Sequence, residues 1–348
     1  REVVVLEKMP MIGGNTVRAE GGINAAETPQ QKKAGIPDTI DQFYADTMKG
    51  GHNLNDPALV RTLTTHAKDA VAWLVSLGAD LNTVGRAGGA KYPRAHRPTD
   101  GSAIGPEVIR VLWKAAKDRK MDVRTQTRAT EIIMKDGRVA GVKATTKDGK
   151  VYTIDAKAVV LATGGFGANQ DMLVKYQPKL KGYATTNQPG ATGDGIILAE
   201  HAGAALVDMK QIQAHPTAAP DGTLISESVR GDGGILINAE GKRFTNEYSE
   251  ASSDRRITED ILKQTDAECF GVYNETIYQT FMAIEEKDFF DEYRMTGIDN
   301  SGTVVKADTL EELAEKLGVD QETFLATMNG LKTDNIGNEE VVKLAETY

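Results

Sequence analysis

The sequence predicts an α/β fold built on parallel strands, and three observations lead to this prediction. Residues 158–165 are a run of β-branched and small apolar residues that ends in Thr-Gly-Gly. Residues 3–6 are a second apolar run, which ends in the acidic Glu7. Paired glycines follow it, at Gly13-Gly14 and at Gly21-Gly22. Uninterrupted apolar runs of this length are typical of strands that are covered on both faces, as in a parallel sheet.

The order of strand, acid and paired glycines indicates a dinucleotide cofactor. In dinucleotide-binding folds an acid at a strand end accepts a hydrogen bond from a ribose hydroxyl, and Glu7 has that place. Gly13-Gly14 precedes Asn15 and Thr16, which suits a backbone that lies against a pyrophosphate or a flavin, where Cβ atoms would clash. A surface acid and an ordinary loop are the alternatives. With the later Ala-Thr-Gly-Gly, the pattern predicts an FAD-binding flavoprotein.

The beginning of the chain departs from the usual order of such a fold. A Gly-x-Gly-x-x-Gly turn normally stands about 20 residues before the ribose acid, and no such turn precedes Glu7. We therefore expect the first βα unit of the fold, about 25–30 residues long, to be absent from this chain.

Local signals predict the elements that connect these motifs. Asp56-Pro57 suits the start of a helix that ends before Gly78. Its predicted inner face consists of Leu59, Leu63, Ala67, Ala70, Val71, Leu74 and Leu77. A second helix is predicted over residues 106–117. Two Asp-Gly turns then predict a three-stranded meander, with strands at residues 130–135, 138–145 and 151–154.

The character of the chain changes near Met209, after which charged helical segments dominate. We predict an FAD-binding domain at residues 1–208, a second domain at 209–335 and an unassigned tail at 336–348. The elements predicted for the second domain are a strand at 235–238 and helices at 256–264, 275–281, 310–317 and 321–331.

Composition excludes several other classes of protein. The 348 residues carry a net charge of −9 and no cluster of lysine and arginine, which argues against a nucleic-acid-binding face. Cys269 is the single cysteine, so no internal disulfide or cysteine metal site is expected, and the five histidines lack the spacing of metal ligands. No window approaches the about 18 uninterrupted apolar residues of a membrane-spanning helix.

Three further places carry residues suited to chemistry, and each has a structural alternative. Asp194 closes a glycine-rich turn before a helix, where it either belongs to an anion-binding turn or caps the helix. Pro216 favours extended backbone at His215, which suits a side chain directed from a strand end; a purely structural histidine is the alternative. Glu227 and Arg230 stand three residues apart, and the alternative to a functional pair is a surface ion pair.

The chain resembles the flavoprotein part of soluble fumarate reductases of the flavocytochrome c type, within the fumarate reductase and succinate dehydrogenase superfamily. The resemblance covers residues 3–333, and its most specific segments are residues 6–8, 13–16, 46–51, 95–99, 162–166, 190–195, 213–217, 227–231 and 241–247. It implies an α/β fold of the Rossmann-like type with two dinucleotide-binding domains, a β-meander and a mobile α+β capping domain that closes over the active site. It also implies that FAD is bound noncovalently.

The resemblance implies a role for each candidate residue. In that family, reduced flavin gives a hydride from N5 to one alkene carbon, an arginine protonates the neighbouring carbon, and a Glu and Arg relay resupplies the proton. Glu227 and Arg230 match the relay. The implied substrate-binding residues are His215, Ser226, Glu227 and Gly22. The implied FAD-binding residues are Glu7, Lys8, Gly14, Asn15, Thr16, Gly21, Gly22, Ala129, Thr163, Gly164 and Asp194.

The sequence departs from the family's pattern in two places. The family's acid arginine lies a few residues after the Asn-Glu pair found here at Asn246-Glu247, but residues 248–254 intervene before Arg255 and Arg256. We expect Arg255 to be the acid, with Arg256 as the alternative. The family's later segment, with a second substrate histidine, a substrate arginine and flavin contacts, has no match, so we expect a C-terminal part to be absent as well.

We expect an FAD-dependent reductase of a short unsaturated carboxylate. Fumarate is the first candidate, and urocanate, acrylates and cinnamates are others. The alternatives are a flavin dehydrogenase or oxidase of the aspartate oxidase or ketosteroid dehydrogenase kind, and a flavin-binding electron-transfer protein without turnover of its own. The expected partners are a dicarboxylate or enoate substrate and an electron-donor protein or domain, with haem or FMN outside this chain as candidate donor groups.

Overall fold

The computed structural model describes residues 2–86, 89–218, 225, 229–230, 233–247, 254–275 and 304–331, without the side chains of 254 and 255. Its helices are α1 (Pro29–Lys33), α2 (Ile40–Gly50), α3 (Pro57–Ser76), α4 (Ile104–Asp118), α5 (Gln170–Tyr176), α6 (Asp194–His201), α7 (Asp254–Ile261), α8 (Leu310–Leu317) and α9 (Gln321–Gly330). Its strands are β1 (Val4–Leu6), β2 (Ile23–Asn24), β3 (Thr83–Gly85), β4 (Ala95–Arg97), β5 (Asp122–Arg124), β6 (Thr127–Lys135), β7 (Arg138–Thr146), β8 (Val151–Asp155), β9 (Ile235–Ile237) and β10 (Phe270–Val272).

The described strands form four small sheets. Strands β1 and β5 pair in parallel, with Val5 opposite Val123. Strands β6, β7 and β8 form an antiparallel sheet in chain order. Strand β4 lies between β2 and β3 and is antiparallel to both, and β9 pairs antiparallel with β10.

The predicted meander is present as β6, β7 and β8. Asp136 and Gly137 join β6 to β7 with φ angles of 51° and 74°, which is the backbone geometry that a two-residue hairpin turn requires. The pairing of β6 with β7 shifts register between Ala129 and Glu131. Such bulges redirect side chains locally, and this one adjoins Ala129, one of the predicted FAD-binding residues.

Helix α3 begins and ends where the sequence predicts, but its inner face differs. Asp56 caps it by accepting hydrogen bonds from the main-chain nitrogens of Ala58 and Leu59 at 2.8 and 3.1 Å. Leu59 and Leu63, predicted to face inward, are 70% and 57% exposed. Ala67, Val71 and Leu74 of the predicted face are buried, together with Val60 and Thr64. The helix carries more apolar residues than one face can hold, so the pattern alone did not select the buried stripe.

The two apolar runs that predicted buried parallel strands are more exposed than expected. Residues 158–163 form no strand, and Val160 is 88% exposed. Val5, within β1, is 38% exposed, and Val3, directly before this strand, is 52% exposed. An apolar run becomes a buried strand only where neighbouring strands take up its hydrogen bonds and helices cover its faces. Within the described residues, 158–163 has no such strand neighbour.

The chain divides into two compact units. The first unit holds residues 1–19 and 108–212, and the second holds residues 20–107 and 213–348. The second unit thus includes residues 20–107, which the sequence analysis placed in the FAD-binding domain. The division into domains at 1–208 and 209–335 with a tail at 336–348 stays a prediction. The predicted helix at 275–281 and the tail lie almost wholly outside the described residues.

A main apolar cluster of the second unit forms around β9 and α9. Ile235 and Ile237 of β9 pack with Phe324 and Met328 of α9, and all four are at most 3% exposed. A Cβ atom on Gly241 would lie 3.1 Å from Phe324, so glycine lets the turn after β9 lie against this helix. The predicted strand at 235–238 and helix at 321–331 are therefore confirmed in outline.

A buried ion network in the second unit holds α1, α2 and β4 together. The guanidinium of Arg94, with its side chain 2% exposed, lies 2.9 Å from Asp38 and 2.7 Å from Asp46. Gln31 donates to Asp38 at 3.1 Å. The Nε2 atom of His96 lies 2.7 Å from the hydroxyl of Thr28, and burial lowers the pKa of His96.

This network leads to a stability prediction. Substitution Asp38→Ala should destabilise the protein by about 3–5 kcal/mol, because removal of one partner leaves a buried guanidinium partly uncompensated. Denaturant unfolding measures the change. The matched control is Asp41→Ala, which removes an ion pair with Arg61. The side chain of Asp41 is 87% exposed, so this substitution should lower the free energy of unfolding by only about 0–1 kcal/mol. Equal losses in the two variants would contradict the prediction.

Candidate active site

The carboxylate of Asp194 joins three segments of the first unit. It begins α6 directly after Gly193, whose φ of 78° places it in the left-handed region. Lys8 lies 3.1 Å from Asp194, and the Nε atom of Arg128 lies 2.8 Å from it. The hydroxyl of Thr192 donates to the other carboxylate oxygen at 2.7 Å. Residues after β1, on β6 and before α6 therefore meet at one acid.

The surroundings of Asp194 favour its charged form. Burial alone would raise its pKa, but hydrogen bonds from Thr192, Lys8 and Arg128 outweigh that effect, and the pKa of Asp194 lies below its ordinary value. The acid therefore carries a negative charge at neutral pH and holds both cations. The sequence left two alternatives open for Asp194, an anion-binding turn and a helix cap. Neither describes the residue completely, because Asp194 begins α6 and its side chain also bonds to Lys8, Arg128 and Thr192.

A second set of contacts joins residues 15–18 to residues 186–188 within the first unit. The amide of Asn15 donates to the side chain of Asn187 at 2.5 Å and accepts from the main-chain nitrogen of Gln188 at 2.8 Å. Arg18 donates to the main-chain oxygen of Thr186 at 3.1 Å. The loop before α6 thus lies beside the N-terminal loop at Asn15 as well as at Lys8.

Glu7 is held at the end of β1 by its main chain. Its nitrogen donates to Arg124 and its carbonyl accepts from Thr127, both at 2.9 Å. One side-chain oxygen accepts from the nitrogen of Met9 at 2.7 Å. No partner is described for the second oxygen, Oε2, within the part of the chain that the structure covers. This half-buried carboxylate thus keeps one oxygen that can accept a further hydrogen bond.

The glycines of the first unit show which positions suit a bound cofactor. Gly14 and Gly164 have φ angles of 52° and 67°, and a Cβ atom on either would meet no atom within 4 Å. Open space beside backbone of this conformation fits the close approach of a flavin or a pyrophosphate. Gly13 has another explanation, since a Cβ there would lie 3.2 Å from Val17.

The remaining predicted FAD-binding residues divide between the two units. Thr163 packs so closely against Gly195 that a Cβ atom on that glycine would overlap its hydroxyl. Thr16 begins the short helical turn Thr16–Arg18. Gly21 and Gly22 belong to the second unit, where a Cβ on Gly22 would lie 3.0 Å from the carbonyl oxygen of His96. Packing against β4 therefore accounts for glycine at position 22.

His215 and Arg230 of the second unit meet at Thr217. The guanidinium of Arg230, 6% exposed as a residue, donates to the hydroxyl of Thr217 at 2.5 Å. The Nδ1 atom of His215 lies 2.9 Å from the carbonyl oxygen of Thr217. Because Arg230 is buried, the surface ion pair that the sequence left open does not describe this residue. Ser226 and Glu227 lie outside the described residues.

The two candidate acid arginines belong to α7. Arg255 lies in its first turn, and its side chain is outside the described atoms. Arg256 donates to Asp260 at 3.1 Å and to the hydroxyl of Thr245 at 3.2 Å, and it also reaches the carbonyl of Asn246. Glu247 forms a separate buried ion pair with Arg243 at 2.6 Å. The Arg256 side chain is thus engaged within its own segment.

Sequence reasoning missed Arg128, Thr192 and Thr217. Arg128 and Thr192 adjoin predicted cofactor residues in the chain, but only the fold brings them to Asp194. Thr217 stands in the same Gln-Ala-His-Pro-Thr segment as His215, and this proximity was the available signal. No cluster of acids, histidines or cysteine suited to a metal ion occurs within the described residues.

A family model described as FAD binding domain matches residues 1–338. The chain belongs to this FAD-binding family. It is 43% identical to the fumarate reductase (cytochrome) of Shewanella frigidimarina over 329 residues. This aligned region is 94% of this chain and 55% of that protein. It is 42% identical to the NADH:fumarate oxidoreductase of Klebsiella pneumoniae (strain 342) over 327 residues, a region that is 94% of this chain and 34% of that protein.

A solved structure agrees with this assignment. The open conformation of a flavocytochrome c3 fumarate reductase matches the FAD-binding chain with a TM-score of 0.75 at 37% identity, over 95% of this chain and 57% of that one. The chain thus spans little more than half the length of the Shewanella relative. The predicted resemblance, the α/β fold class and the FAD cofactor are confirmed. Within the described residues, no helix is both long and apolar enough to cross a membrane.

Proposed function

We propose that this chain is the catalytic flavoprotein part of an FAD-dependent reductase of short unsaturated carboxylates, with fumarate as the first substrate to test. The observation that carries the proposal is the cluster of the half-buried His215 with the buried Thr217 and Arg230, in which an imidazole and a guanidinium both contact Thr217. The likeness to two proteins named for fumarate reduction supports the choice of substrate.

His215 would bind one carboxylate of the substrate. Its Nδ1 atom faces the main chain of Thr217, so Nε2 is the ring nitrogen that would contact a carboxylate oxygen. A hydrogen bond to an ionised acceptor is stronger than one between neutral groups, which favours binding of an anion here. Ser226, Glu227 and Gly22 complete the proposed substrate-binding set on the strength of the family's pattern.

Reduced FAD supplies the hydride for such a reaction when it is bound. Within the first unit, Glu7 would accept a ribose hydroxyl and Lys8 would lie beside the cofactor, together with Gly14, Asn15, Thr16, Ala129, Thr163, Gly164 and Asp194. The free carboxylate oxygen of Glu7 and the open space at Gly14 and Gly164 support these assignments. Gly21 and Gly22 complete the proposed FAD-binding set on the strength of the family's pattern.

Arg255 would protonate the second alkene carbon. A guanidinium has a pKa above about 12, so it can act as an acid only when its proton is replaced at once by neighbouring groups. Glu227 and the buried Arg230 would form that relay. Arg256 is the weaker candidate, since its guanidinium already bonds to Asp260, Thr245 and Asn246.

The electron donor would be another protein or a further domain. The names of the two relatives indicate different electron donors, because one name includes a cytochrome and the other includes NADH. Both are longer than the region they share with this chain. Haem or FMN outside this chain is therefore the proposed source of electrons.

The proposal predicts that fumarate reoxidises the reduced flavin. The full-length protein, loaded with FAD and reduced by dithionite without oxygen, should return to the oxidised flavin spectrum when fumarate is added. Succinate should appear in equal amount. Urocanate, acrylate and cinnamate in parallel reactions identify the preferred enoate. A reduced flavin that none of these compounds reoxidises would contradict the reductase and favour an electron-transfer protein.

The acid assignment predicts a difference between neighbouring arginines. Substitution Arg255→Lys should lower turnover by about 10²–10⁴-fold, the usual contribution of a general acid, with little change in substrate affinity. The matched variant Arg256→Lys should mainly affect stability, because its partners are Asp260 and Thr245. Turnover and dicarboxylate binding are measured for both. If Arg256→Lys alone abolishes turnover, the acid is Arg256.

A further inference from the structure

Thr217 contacts two residues of the second unit to which the proposed function gives a role, His215 and Arg230. Its hydroxyl accepts from Nη1 of Arg230 at 2.5 Å and donates to the carbonyl of Ile225 at 2.8 Å. Its carbonyl oxygen and its nitrogen lie 2.9 and 3.3 Å from Nδ1 of His215. The side chain of this residue therefore faces the relay arginine, whereas its main chain faces the substrate-binding histidine.

The position of the Thr217 hydroxyl is fixed independently of Arg230. The nitrogen of Ile225 donates to the carbonyl of Thr217 at 3.2 Å, so the two residues exchange hydrogen bonds in both directions. A hydroxyl has one hydrogen, and this hydrogen points to Ile225. A lone pair of Thr217 Oγ1 is therefore directed at Arg230 in a buried place, where the residue is 7% exposed.

A buried guanidinium depends on such an acceptor. Burial of a charged group is costly unless its N–H groups are hydrogen-bonded, and Arg230 is 6% exposed. Without the hydroxyl, one N–H of Arg230 would lose its partner and the guanidinium would turn toward other acceptors. A displacement of about 1 Å at a reacting or relaying group is enough to slow a reaction by about 10²-fold.

We propose that Thr217 is a positioning residue that holds the guanidinium of Arg230 in its place in the proton relay. This inference rests on the proposed function, and it adds a residue that acts through Arg230 rather than on the substrate. Its hydroxyl and its main chain serve different neighbours. Loss of the hydroxyl should therefore slow turnover while dicarboxylate binding through His215 is kept.

The test compares variants of the full-length, FAD-loaded protein. Thr217→Val, which keeps the shape and removes the hydroxyl, should lower kcat by about 10–100-fold with the succinate Kd within about threefold of wild type, less than 1 kcal/mol. Thr217→Ser keeps the hydroxyl and should restore most of the rate. The matched control is Thr64→Val, at a threonine that is 0% exposed and contacts the carbonyl of Arg61 at 3.3 Å; its rate should be unchanged.

A double-mutant cycle shows whether Thr217 acts through Arg230. In an Arg230→Ala background, Thr217→Val should change kcat by less than about twofold, because residues that share one contact do not act additively. If Thr217→Val lowered kcat as much in the Arg230→Ala background as in the wild type, or if Thr217→Val alone had a normal kcat, the inference would be overturned. Either result would leave the proposed function intact.

Failure of the proposed function has a different signature. Wild-type enzyme that fumarate does not reoxidise would contradict the function itself. The thermal unfolding midpoints (Tm) of wild type, Thr217→Val, Arg230→Ala and the double variant then test the contact without a turnover measurement. A Tm shift on Thr217→Val that is equal with and without Arg230 would overturn the positioning role, and a shift that requires Arg230 would support it.

Discussion

The ionised carboxylate of Asp194 is the interaction on which the first unit depends. Lys8, Arg128 and Thr192 come from three segments and meet at this one acid. Lys8 and Thr192, which also bond to each other at 2.5 Å, are 184 positions apart in the chain. The acid thereby connects the end of β1, the start of β6 and the turn before α6, the segments that carry the proposed FAD contacts Glu7, Lys8, Ala129 and Asp194.

The second unit uses buried charge in two different ways. Arg94 is held by two aspartates, an arrangement in which charge is matched by charge and the neighbouring elements are locked together. Arg230 is bonded to the neutral hydroxyl of Thr217. This contact orients the guanidinium through a neutral acceptor. Arg94 ties neighbouring elements of the second unit together, whereas the role of Arg230 in proton movement rests on the proposed function.

The sequence predicted the features that depend on neighbouring residues. The cap at Asp56, the turn at Asp136-Gly137 and the limits of α3 follow from local backbone preferences, and the structure has all three. Features that depend on distant residues were not predictable in this way. The burial expected for residues 158–163 requires adjacent strands, and the pairing of Lys8 with Asp194 requires the fold. Arg128 and Thr217 were missed for the same reason, since each gains its role from a partner that local patterns do not identify.

Affinity for FAD tests most directly whether Asp194 assembles the cofactor site. Full-length protein stripped of flavin is titrated with FAD as wild type, as Asp194→Asn and as the control Asp155→Asn, at an exposed acid that ends β8 in the same unit. We expect Asp194→Asn to raise the Kd for FAD by about tenfold or more, equivalent to about 1.4 kcal/mol, whereas the control stays near wild type. An unchanged Kd for Asp194→Asn would contradict a role of this acid in assembling the cofactor site.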